Sequence, residues 1–204
     1  MLVSSHKQAV LEFVDSFRLG SGRSPRESDM RALDALIERL ATESPAPALR
    51  NLFQQIAGFW ECVFTTSRFV LDLDKLPGLT LSGVYQSVGI DADFRGGRYF
   101  NIAELTRGGK VKGVCGECAA IRPSHVDPGR IDVEYQWFYF AIRMISEYEG
   151  PRAVAAALES NRLRHRMRIP FHRYGWQSTL YLDDELRVVR GNQGGLFVLV
   201  RQRR

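Results

Sequence analysis

Apolar residues recur at helical spacing early in the chain and at every second position beyond residue 58, a pattern that predicts helices followed by a sheet. Val10, Phe13, Val14 and Phe17 fall on one stripe, predicting an amphipathic helix over residues 5–18. Leu19-Gly20-Ser21-Gly22 ends it. Ser24-Pro25-Arg26-Glu27 reads as an N-cap, a first-turn proline and a glutamate reaching back as a capping box. Met30, Leu33, Leu36, Ile37 and Leu40 supply the buried stripe of a second helix, which Pro45 and Pro47 stop. A short third helix is predicted over Leu49–Ile56.

From Phe59 the period becomes two. Strands are predicted over 59–67, 81–88, 98–106, 109–117, 131–144, 165–172, 176–182, 186–190 and 195–201, with Gly, Pro, Asp or Asn in the breaks. The alanine-rich Pro151–Glu159 reads as a helix or lid set into this order. Leu196, Val198 and Val200 share one face of the last strand and Phe197 and Leu199 the other. Both faces need cover, so this strand closes a barrel or lies under a helix. The fold class predicted is mainly β with N-terminal helices, a closed antiparallel β-barrel whose closure removes its edges. Residues 1–50 form a helical segment packed on a barrel of residues 51–204, one structural domain overall.

Charge adds little. Against 28 basic residues stand 23 acidic ones, a formal +5 compatible with an anionic membrane surface. No nucleic-acid module accompanies it. Three cysteines exclude a disulfide framework, and no apolar run approaches the ~20 residues of a membrane-spanning helix. The chain reads as cytoplasmic and at most peripheral to a membrane.

No phosphate loop, dinucleotide fingerprint, zincin motif or nucleophile elbow is present. His6, His125, His165 and His172 are scattered, so no metal ligands are assigned. Cys115-Gly116-Glu117-Cys118 has redox or half-zinc spacing, but Cys62 is the only other cysteine. Packing cysteines are the simpler reading, and a labile disulfide or metal pair the other. Ile131, Val133, Tyr135, Trp137 and Tyr139 alternate along one strand face. They either fill a core or line a cavity for a long apolar molecule, with Trp60, Tyr85, Trp176, Tyr181 and Phe197 available to line the same interior. Arg162, Arg164, Arg166 and Arg168 alternate with Leu163, Met167 and Ile169. That row is either a solvated face or a surface for anionic headgroups.

Gly58-Phe59-Trp60-Glu61-Cys62-Val63-Phe64-Thr65-Thr66-Ser67 resembles the opening strand of the plastid lipid-associated proteins, or fibrillins. Gly83-Val84-Tyr85-Gln86 and Phe100-Asn101-Ile102-Ala103-Glu104 resemble its next landmarks. Gly175-Trp176, Tyr181-Leu182-Asp183, Arg190-Gly191-Asn192 and Leu196-Phe197-Val198-Leu199 resemble its ending. The likeness covers roughly residues 5–201, thinly in the middle.

The resemblance implies a lipocalin-like barrel that binds or organises lipids, carotenoids or prenylquinones at thylakoid membranes or lipid droplets, with no catalytic residue and no cofactor. The chain begins almost directly at its first helix, which points to a cyanobacterial source. Arg187 joins the expected ligand-binding residues. In lipocalin-like barrels a terminal arginine packs over the opening tryptophan, which would set Arg187, Arg190 or Arg201 on Trp60. Asp183 and Asn192 are expected to build turns. Two alternatives stay open: a bilin-binding chromophore lyase, and a membrane-surface scaffold with a filled barrel.

Overall fold

A computed structural model describes residues 5–19, 21–43, 49–108, 110–142, 150–162 and 166–203. Eight strands pair in chain order: β1 (Gly58–Thr65), β2 (Thr80–Ile90), β3 (Gly97–Arg107), β4 (Lys110–Pro123), β5 (Arg130–Ile142), β6 (Arg166–Leu182), β7 (Leu186–Gly191) and β8 (Leu196–Arg201). Each neighbouring pair is antiparallel, and β8 returns to β1 to close a barrel. The mainly β, lipocalin-like expectation holds. Eight strands stand where nine were predicted, because 165–172 and 176–182 are one strand, β6, running through Gly175. Gly175 serves close approach rather than a turn: a Cβ there would meet Asn192 Oδ1 at 3.0 Å.

The helical stripes pack as their spacing predicts. Val10 and Val14 of α1 (Ser5–Ser16) and Leu33, Ile37 and Leu40 of α2 (Glu27–Glu43) cover the outer face of β1, β7 and β8 at Val63, Val188, Leu196 and Val198. The inner face of β8, Phe197 and Leu199, joins the barrel core. Both covers expected for the last strand therefore exist together. The predicted capping box is shifted: α2 starts at Glu27, and Asp29 rather than Glu27 reaches back, its carboxylate accepting from the Arg26 amide at 2.8 Å. Glu27 instead pairs with Arg31, one turn on.

Leu52, Phe53 and Ile56 of α3 (Leu49–Ile56) join the barrel core with Trp60 and close one end. The indole N–H donates to the Ile56 carbonyl at 2.8 Å. Arg201 is the arginine of the expected lock: its guanidinium carbon lies 4.0 Å from the Trp60 ring centre. It donates to the carbonyls of Ala57 (2.7 Å), Asp184 (2.9 Å) and Gln55. A short α4 (Arg68–Leu73), absent from the sequence expectation, packs Val70 and Leu73 on the same core between β1 and β2. Six residues are too few for a periodic signal. Pro151–Glu159 is helical (α5), with Val154, Ala155 and Ala157 buried against Phe100 and Ile102 outside β3.

Strand β5 changes face midway. Cys118 pairs with Trp137 but Ala119 with Tyr135, so Gln136 is an extra residue. A bulge of this kind inverts the alternation beyond it. Ile131, Val133 and Tyr135 point inward, then Phe138 and Phe140 do. Trp137 pairs with the outward Cys118, and Tyr139 lies in the outer cluster under α5. The single five-residue face predicted for this strand is thereby corrected to two half-faces. Strand β6 pairs with β5 from Arg166 to Ser178, but with β7 only from Gln177 to Leu182. The β5–β6 hairpin consequently rises past the end of β7.

Candidate functional site

The barrel interior divides into an apolar closed end and a polar band beneath a cavity. Tyr99, Ile121, Ile131 and Val133 fill the closed end around Trp60. Above them lies Arg187, with no exposed surface. Its guanidinium donates through Nη1 to Gln86 Oε1 at 2.7 Å and through Nη2 to Gln177 Oε1 at 3.2 Å. Its Nε–H has no partner among the described residues. Burial pulls this arginine down to about 10, which Tyr99 opposes and Arg201 reinforces. A buried cation held only by amide oxygens is costly, because desolvation is not offset by a directly contacting anion.

The charge is answered at a distance. Gln86 Nε2 donates to Asn101 Oδ1 at 3.0 Å, and Asn101 Nδ2 donates to Glu117 Oε2 at 3.0 Å. Arginine can only donate and a carboxylate only accept, so both amide orientations are fixed by the ends of the chain. Glu117 is raised from the ordinary carboxylate range by burial, against the pull of the Asn101 bond and the Arg173 charge.

Over this band lies a cavity with about 110 Å³ of free space. Gln86, Asn101, Glu117, Tyr135, Arg173 and Gln177 form its polar side. Val84, Ala103, Val189, Phe197 and Leu199 form the apolar side, and Phe69, Val70 and Leu73 of α4 its cover. Pockets for drug-sized molecules measure ~300–1,000 Å³, so the space suits one small group rather than a whole long ligand. Its cover touches the rising hairpin, where Phe69 meets Phe138 edge-on at 6.1 Å. Phe138 pairs with Ile169 and Phe140 with Met167. Phe69, which lines the cavity, and Met167 and Ile169 on β6 are 46, 56 and 43 % exposed, large values for apolar side chains.

The family model PAP_fibrillin matches residues 4–200. The chain belongs to the PAP/fibrillin family. No curated protein sequence and no solved structure matches it.

In this PAP/fibrillin barrel the nine expected ligand residues separate by face. Tyr135 and Phe197 line the cavity, and Trp60 and Arg187 lie deeper in the interior. Tyr85 borders the cavity while its ring stacks on Phe59 in the outer cluster, 5.6 Å between centres. Four others face outward. Trp137 carries the Arg168 guanidinium 3.4 Å above its ring, and Trp176 carries Arg130 at 4.7 Å. Tyr139 lies across Gly116 and donates to the Asn101 carbonyl at 2.6 Å, where a Cβ on Gly116 would come within 1.8 Å of that same oxygen. Tyr181 packs under the helices and donates to Asp183 Oδ2 at 2.7 Å.

The C-x-x-C pair lies within β4 rather than at its end, and its members point oppositely. Cys115 belongs to the inner core and Cys118 packs against the outer cluster under α5. Burial pushes the Cys115 thiol up to about 12, with the Glu117 charge adding to the effect. Among the described residues no group of His, Cys, Asp and Glu could hold a metal ion. Of the arginine row, Arg164 lies outside the described residues and the Arg166 side chain is likewise outside them. Arg162 and Arg168 are exposed, with Met167 and Ile169 on the face opposite Arg168.

Gln86, Asn101, Glu117, Arg173 and Gln177 escaped the sequence reading. Asn101 alternates with Phe100 and Ile102, which is also the signature of a solvated sheet face, and Gln86, Gln177 and Arg173 each have a polar neighbour that blurs the pattern further. Only the direction of closure decides that these polar positions face inward.

Proposed function

We propose that this PAP/fibrillin protein binds a hydrophobic small molecule (a lipid, carotenoid or prenylquinone) without transforming it, at the surface of thylakoid membranes or lipid droplets. The observation that carries the reading is a cavity that is polar at its base, apolar on one wall, and covered by the exposed Phe69, which meets Phe138 of the β5–β6 hairpin. Such a gradient matches an amphiphile, whose polar end finds partners inside while its chain stays against Phe69, Met167 and Ile169. No helix among the described residues is long and apolar enough to cross a membrane, so the proposed contact is with a lipid surface. Arg162, Arg164, Arg166 and Arg168 would meet its anionic headgroups.

The small free volume favours a second reading, a membrane-surface scaffold whose barrel is already filled. Native mass spectrometry of protein purified from a photosynthetic host, followed by organic extraction, separates the two. A co-purifying apolar molecule, released by solvent, is expected. Repeated recovery of the bare chain alone would favour the filled scaffold.

A further inference from the structure

The chain of polar side chains inside the barrel runs in one direction. Arg187 donates to Gln86, Gln86 to Asn101, and Asn101 to Glu117. Three of these four groups use their facing atoms on each other, and Glu117 alone ends the series at the cavity wall. One carboxylate oxygen, Oε2, is taken by Asn101. The second oxygen is the acceptor that the chain leaves to the cavity. Arg173, across the pair Tyr135–Arg173, acts on Glu117 through its charge. The burial of Gln86 (5 % exposed), Gln177 (6 %) and Arg187 (0 %) makes the polar base a built part of the barrel rather than a wetted surface.

We propose that the cavity takes an amphiphile head first, with a hydroxyl of the head group donating to the Glu117 carboxylate and the apolar chain leaving between α4 and the β5–β6 hairpin. This rests on the ligand-binding reading above and adds the chemistry of the head. A hydroxyl fits a space of about 110 Å³. It supplies the proton that a carboxylate oxygen in a half-buried site otherwise lacks, and bonds to charged acceptors are the stronger class. A carboxylic acid head would set a second anion beside Glu117, with Arg173 already engaged in offsetting the first. A ketone head offers no proton and can only accept from Arg173 or Tyr135.

Calorimetric titration with n-undecanol, nonyl methyl ketone, n-undecane and undecanoic acid tests this on the wild type, and needs no variant to do so. The alcohol is expected to bind about tenfold to a hundredfold tighter than the ketone, the ratio given by a hydrogen bond to a charged group. In Glu117→Gln the amide oxygen keeps the Asn101 bond and the amide N–H₂ faces the cavity, so that ratio should fall to about one or invert. Retention of the melting transition would establish that the variant is folded. Equal binding of alcohol and ketone by the wild type overturns the head-group assignment and leaves the ligand-binding reading standing. So does an unchanged ratio in the variant, or an acid that binds tightest. Failure of the wild type to bind any of the four compounds overturns both.

Discussion

Replacing Trp60 by alanine should cost the fold several kcal/mol. The indole has no exposed surface and packs at the end of the barrel with Leu52, Phe53 and Ile56. Truncation of a buried tryptophan costs ~3–5 kcal/mol through lost transfer energy and the cavity left behind. Collapse into that cavity is hindered, because Arg201 above it remains tied to the carbonyls of Ala57 and Asp184. The Ile56 carbonyl would also lose its indole donor, so the upper half of the range applies. For a chain of 204 residues each kcal/mol shifts the midpoint by ~2–4 °C, giving a fall of roughly 8–20 °C. Far-UV circular dichroism should follow it, since removing one of three tryptophans would bias fluorescence. A double-mutant cycle with Arg201→Met isolates the stacking contact, whose coupling should be ~0.5–2 kcal/mol. A loss below about 1.5 kcal/mol for Trp60→Ala, outside the range for buried aromatics, would refute the reasoning. Strict additivity would remove the ring–guanidinium contact from it.

Asp183 builds its turn by accepting from the amides of Glu185 (2.8 Å) and Leu186 (2.7 Å), and it pairs with Lys7 at 2.8 Å. Burial pushes its carboxyl up, but the Lys7 bond, the turn amides and the Tyr181 hydroxyl outweigh that and hold it below the ordinary value. Its contribution is therefore present above about pH 4 and lost as pH falls through the depressed folded value. Urea titrations across pH should find Asp183→Asn about 1 kcal/mol less stable at neutrality, with the difference closing in acid; a gap independent of pH would count against the ion pair. Arg164→Gln/Arg166→Gln/Arg168→Gln should pellet less than wild type with phosphatidylglycerol vesicles at low salt, each arginine giving about 1 kcal/mol near the surface. High salt should abolish the difference, and equal pelleting of both proteins would rule out an electrostatic role for the row.

The helices were legible because water lies on one side of them, and the last strand because water lies on neither. The stripe of Met30, Leu33, Leu36, Ile37 and Leu40 faces α1 and the outer barrel wall, as its spacing requires. The double apolar alternation of Leu196–Val200 is the mark of a strand covered on both faces. What could not be read depended on partners distant in sequence. The extra residue at Gln136 exists only relative to β4, so the alternation from Ile131 to Tyr139 looks unbroken in one dimension. Gly175 looks like a break until Asn192 of the β7–β8 turn arrives beside it. The polar base was the least legible part, since Gln86 and Asn101 become interior only when eight strands close.

The uneven height of the wall has a kinetic consequence. Because the β5–β6 hairpin outruns β7, the rim of the barrel is oblique on the side where Met167 and Ile169 stand exposed. A chain molecule moving between the cavity and a lipid layer could remain against hydrocarbon along its whole path, the Met167–Ile169 ledge bridging the two. Crossing water instead would expose each methylene at ~0.8 kcal/mol, a barrier that grows with chain length. An oblique rim would remove that dependence, so exchange would be timed by collisions with the lipid surface, and longer chains would transfer about as fast as shorter ones.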